Sequence, residues 1–157
     1  MKKRFITAVI AFAVTAVAFF LISCDNSKDT LVIYDTETNA TYTVFSVSEG
    51  TEFSVEFIHS VNKSPVIDVF RIENSTIIAD RTIYSAFGAG VQTEIEEGQT
   101  LEYDENGNMV VSGFDIIFPE VKYIVGTVSD HVLRIEGESI SLTELCGKNA
   151  HIAFKLR

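Results

Sequence analysis

His59 and Asp68 stand where the surrounding pattern asks for hydrocarbon, and together they could do chemistry. In Phe53-Ser54-Val55-Glu56-Phe57-Ile58-His59 the odd positions are apolar until His59, so the imidazole continues the buried face of a strand. Asp68 shares a face with Val66, Phe70 and Ile72, and a carboxylate buried there needs a partner. An antiparallel register that sets Phe57 opposite Phe70 and Val55 opposite Ile72 brings His59 opposite Asp68. Cβ atoms in that position lie about 4.5 to 5.5 Å apart, close enough for a hydrogen bond. Such a pair serves one of four ends. It is a buried polar clip that fixes register around Ser60 to Pro65, or a dyad that activates Ser60 or a water. With His131 it makes a metal set of two imidazoles and one carboxylate. Beside an organic ligand it makes a binding site.

The clip leads among these, because no nucleophile-elbow motif accompanies the pair and the sequence separations carry no local metal-ligand spacing. No enzyme activity, no cofactor and no metal is expected. His131 shares a face with Leu133 and Ile135 and points inward; His151 falls on the opposite parity from Ile152, Phe154 and Leu156 and points to solvent. Ser85-Ala86-Phe87-Gly88-Ala89-Gly90-Val91 is the other unusual segment, since Gly88 and Gly90 permit close backbone approach. A phosphate cradle would need a helix N-terminus next, but Gln92 to Gly98 follows with three acids, so a bent strand or crossing loop is expected. Glu94, Glu96, Glu97, Glu102, Asp104 and Glu105 read as a solvated acidic face. Asp104 to Asn108 lacks the glycine position and the closing glutamate of a calcium loop.

A third chemical feature is Cys24. Lys2, Lys3 and Arg4 precede an apolar stretch from Phe5 to Ile22, and Leu21-Ile22-Ser23-Cys24 matches a bacterial lipobox. The cysteine then takes a diacylglycerol thioether and becomes the first residue, with up to three acyl chains holding it on the membrane. The stretch is also long enough to span a bilayer as an uncleaved anchor, the alternative reading. Either way the rest of the chain lies outside the cytoplasm, and Asp25 resembles the retention signal of inner-membrane lipoproteins. The expected location is the extracytoplasmic face of the cytoplasmic membrane.

Cleavage leaves 134 of 157 residues: a tether over 24–30 and one domain over 31–157. It removes three basic residues and no acid, so the formal net charge goes from −10 to −13. Nucleic acid is therefore excluded as a partner. With Cys24 acylated only Cys146 remains and no intramolecular disulfide can form; Cys146, before Gly147, reads as a small buried hydrophobe.

The elements that must position these groups are strands. Runs at 31–34, 41–47, 53–59, 66–73, 76–84, 100–105, 109–117, 121–127, 131–136, 139–142 and 151–156 are β-rich and bounded by turn residues, and only 141–146 suits a helical turn. The expected fold is all-β, an antiparallel β-sandwich or partly closed barrel of about ten short strands. Asn106-Gly107 is the strongest hairpin signal, expected as a type I′ turn.

Phe57-Ile58-His59-Ser60-Val61, then Pro65-Val66 and Asp68, Thr82 to Gly90, and His131 to Ile135 together resemble the bacterial family catalogued as domain of unknown function 1850. The resemblance runs from about Thr41 to Leu156. His59, Ser60, Val61, Pro65, Asp68, Gly88, Gly90 and His131 match its pattern, with Asp68 a shorter acid than the glutamate more usual there. It implies a small extracytoplasmic β protein encoded beside TRAP transporters of the TAXI type, and so an accessory or binding component of solute uptake. Its partners would be the membrane, through the lipid, and transporter subunits or their solute-binding protein. The alternatives are a hydrolase or metal-dependent enzyme built on His59, Asp68 and His131, and a structural envelope protein.

Overall fold

The computed structural model describes residues 29–85 and 95–157. Alternating residues make strands here because one face of each finds a core. The elements are β1 (Asp29–Asp35), β2 (Thr41–Val47), β3 (Glu52–Ile58), β4 (Pro65–Glu73), β5 (Thr76–Tyr84), β6 (Thr100–Tyr103), β7 (Met109–Phe118), β8 (Val121–Ile124), β9 (His131–Ile135), β10 (Glu138–Ser141), α1 (Leu142–Cys146) and β11 (His151–Leu156). They form two antiparallel sheets, a four-stranded one ordered β2-β1-β11-β8 and a seven-stranded one ordered β10-β9-β3-β4-β5-β7-β6. The fold is an all-β sandwich and not a barrel. Asp29 and Thr30, expected in the tether, already pair with Val47 and Ser46 of β2, so β1 starts two residues early.

The core lies between the sheets. Phe53 of β3 stacks on Phe70 of β4 at 5.1 Å between centroids and on Phe154 of β11 at 5.6 Å, so a column of three rings joins the two layers. Leu31, Ile33, Leu133 and Ile152 are fully buried around it. Each such side chain contributes roughly 1.5 to 3 kcal/mol by leaving water. Helix α1 closes one end. The Ser141 side chain accepts from the Glu144 N–H, Asp130 accepts from the Thr143 N–H, and Gly147 ends the helix at φ 93°.

Turn chemistry departs from expectation at Asn106-Gly107. Only Gly107 has positive φ, at 79°; the Gly107 N–H reaches Asp104 O at 3.0 Å, and the Asp104 carboxylate accepts from the backbone of Asn106 and Asn108. That is a type I turn with a glycine bulge, not type I′. The Asp104 side chain favours it by holding the turn's N–H groups. Two-residue loops with positive φ at both positions occur instead at Asn74-Ser75 and Glu136-Gly137.

Two irregularities bend the larger sheet. Asp80 is an extra residue of β5 between Ala79 and Arg81, and β7 answers with Gly113-Phe114-Asp115 between Ser112 and Ile116. Gly113 takes φ 81°, and a Cβ there would lie 2.5 Å from Gly98 O. Arg71 pins both bulges, with guanidinium bonds to Asp80 at 2.6 Å and Asp115 at 2.8 Å, and a third to Glu73 at 3.0 Å. Arg81 also contacts Asp80 and binds Glu52 at 3.0 Å. These groups are partly solvated, so Arg71→Met is expected to lower stability by about 1 kcal/mol, read as an earlier urea midpoint. An unchanged midpoint would show that the bulges hold without it.

Candidate functional site

The expected register is corrected by four residues. Val55, not His59, stands opposite Asp68, while Phe53 opposes Phe70 and Phe57 opposes Val66. The β3–β4 hairpin closes at Ile58 and Pro65, and the His59 N–H bonds Ser64 O, so the connecting loop is 59–64 and Pro65, expected in the loop, opens β4. Val66, opposite Phe57 in this register, is buried to 3% exposure. His59 therefore belongs to the turn. Its Nδ1 accepts from the Val61 N–H at 3.3 Å, and Ser60 is exposed beside it. No His59–Asp68 dyad forms.

Asp68 does point between the sheets, as its face requires, but its partners are hydroxyls. Thr82 Oγ1, directly across on β5, donates to Oδ1 at 3.0 Å. The Tyr123 hydroxyl donates to Oδ2 at 2.8 Å. Tyr123 lies on β8 of the four-stranded sheet, so this bond ties one layer to the other. Burial pushes the Asp68 carboxyl up, and the Tyr123 and Thr82 hydroxyls oppose that. Burial likewise raises the Tyr123 phenol well above its ordinary value, helped by the Asp68 charge, so it stays a donor.

His131 completes the cluster. It pairs with Phe57 across β9 and β3, stacks on that ring at 5.2 Å, and meets Tyr123 edge-on at 6.0 Å. The Gly126 N–H donates to its Nδ1 at 3.0 Å, which requires an unprotonated nitrogen there. Burial lowers its pKa, against the opposing pull of Asp130 and Asp68. Because folding depresses this pKa, the unfolded chain binds the proton first, and stability falls as pH drops below about 6.5 toward the native value. The wild type is expected to lose thermal stability between pH 7 and pH 5 by more than His131→Gln loses. Parallel pH profiles for the two proteins would contradict the assignment.

A cleft of about 300 Å³ lies beside the bulged part of β5 and β7 and the strand β8, with residues of all three in its lining. Phe70, Ala79, Phe114, Ile116, Phe118 and Val121 supply most of its apolar lining, and Asp68, Arg81, Thr82, Lys122 and Tyr123 its polar groups. Thr82 and Tyr123 went unrecognised in the sequence. The signal was present, since Tyr123 alternates with Val121 and Val125 on an inward face and a buried phenol needs an acceptor.

The remaining sites resolve as follows. Gly88, Gly90 and Cys24 lie outside the described residues. His151 is exposed, 3.6 Å from Glu37. Burial pushes the Cys146 thiol up to about 11, which suits an inert packing residue. Glu96, Glu97, Glu102 and Glu105 are exposed. Among the described residues no group of three or more His, Cys, Asp or Glu side chains is placed to hold a metal ion.

The class so defined is an open antiparallel sandwich whose layers are tied by the Asp68–Tyr123 carboxylate–phenol bond beside a mostly apolar cleft. The chain belongs to the family described as Domain of unknown function (DUF1850), whose model matches residues 53–142. That span holds His59, Ser60, Asp68, Thr82, Tyr123 and His131. No curated protein and no solved structure matches the chain.

Proposed function

We propose that this protein is a lipid-anchored, extracytoplasmic binding component of TRAP-type (TAXI) solute uptake, with the Asp68–Tyr123 cleft as its ligand site. The cleft carries the reading: a mostly apolar concavity with a few fixed polar groups is how small molecules are held and oriented. His59 and His131 both accept backbone N–H bonds at Nδ1, so neither is given a catalytic role. The lipobox at Cys24 supports the anchor. Asp29, where β1 begins, lies five residues on, so an extended tether reaches at most about 18 Å and keeps the sandwich near the bilayer. The transport association rests on the family resemblance.

Affinity capture of the full chain from native membranes tests that association. Transporter or solute-binding subunits are expected in the eluate above the level seen with an unrelated lipoprotein. Repeated capture of none would sink the transport assignment.

A further inference from the structure

We propose that the cleft at Asp68 takes a small organic cation, a protonated amine on a compact aromatic or aliphatic body. The inference rests on the reading of this cleft as the ligand site and names the ligand's class. Its first ground is an uncompensated charge. Among the described residues no Lys, Arg or His lies within ion-pair distance of Asp68. Arg81 and Lys122 also border the cleft, but Arg81 is bound to Glu52 and Asp80, and Lys122 to Glu120 at 2.6 Å. Those cations are already matched, and Asp68 is not. A partly buried carboxylate held only by neutral hydroxyls gains most from a cation brought beside it.

The second ground is stereochemical. Thr82 and Tyr123 use one acceptor site on each Asp68 oxygen, which leaves further lone pairs free for the N–H groups of an ammonium. The rings of Phe70, Phe114, Phe118 and Tyr123 line the same space, and aromatic faces attract cations while accepting a hydrocarbon body. His131 makes no ion pair with Asp68, and its Nδ1 accepts the Gly126 N–H, as an unprotonated nitrogen does. A volume of about 300 Å³ sits at the small end of ligand pockets and suits a single-ring body.

Three probes of matched shape separate the possibilities: phenethylamine, 2-phenylethanol and 3-phenylpropanoate, titrated calorimetrically at pH 7 into the full chain in lipid nanodiscs against empty nanodiscs. Phenethylamine is expected to bind at least tenfold more tightly than the other two, and Asp68→Asn to weaken it at least tenfold. Equal or tighter binding of the alcohol or the acid would overturn the cation class while leaving the cleft a ligand site. Binding of none of the three would overturn both. Amine affinity unchanged in Asp68→Asn would also overturn the cation class. Should that variant fail to fold, the amine-to-alcohol ratio on the wild type decides.

Discussion

Cys24→Ser is expected to abolish acylation and leave residues 1–23 attached. Thioether formation on the cysteine precedes cleavage in the lipobox scheme, so removing the sulfur blocks both steps. Tritiated palmitate should label the wild type and not the variant, and the intact mass of the wild type should correspond to a chain starting at Cys24 plus its acyl groups. At about 0.8 kcal/mol per buried methylene, two or three chains hold a protein on a bilayer, whereas a single chain binds only reversibly. A wild-type mass that retains Met1 without acyl groups would establish the alternative, an uncleaved helical anchor. In that case the three basic residues stay and the net charge remains −10 rather than −13.

Tyr123→Ala is expected to cost about 3 to 5 kcal/mol, the range for removing a large ring from a packed interior. The ring contacts Phe57, His131 and Phe154 at 6.0 to 6.3 Å between centroids, drawing on both sheets. Tyr123→Phe keeps the ring and removes only the donor, which leaves Asp68 with Thr82 alone and should cost roughly 1 to 3 kcal/mol. Adding Asp68→Leu to Tyr123→Phe removes the orphaned carboxylate as well, and the double variant should lose less than the sum of the single changes. Chemical denaturation of the four proteins gives the coupling. Strict additivity would show that the carboxylate–phenol bond does not join the layers.

The strands were legible because an alternating apolar face has few other uses. Thr41–Val47, Thr76–Tyr84 and His151–Leu156 are found where the sequence places them. The β3–β4 register was not legible, for a definite reason. A slip of four residues leaves every side chain on its own face, so Phe57 opposite Phe70 and Phe53 opposite Phe70 satisfy the same pattern. Loop closure at His59 and Ser64 chooses between them, and residue type does not encode it strongly. Parity therefore located Asp68 and His131 correctly but misassigned the carboxylate's partner, which lies 55 residues away on the other sheet. The bulges at Asp80 and Gly113 to Asp115 were equally hidden. Asp80 and Asp115 read as ordinary surface acids until Arg71 is seen to span them. Since residues at those bulges line the cleft, the proposed ligand site was the least readable part of the chain.

Native mass spectrometry of the full chain, drawn from native membranes into nanodiscs, tests the central claim most directly. The wild type is expected to carry a small organic mass at one-to-one occupancy, and Asp68→Asn to lose it. Equal occupancy in the two proteins, or a bare wild type, would contradict the assignment of the Asp68–Tyr123 cleft as a ligand site.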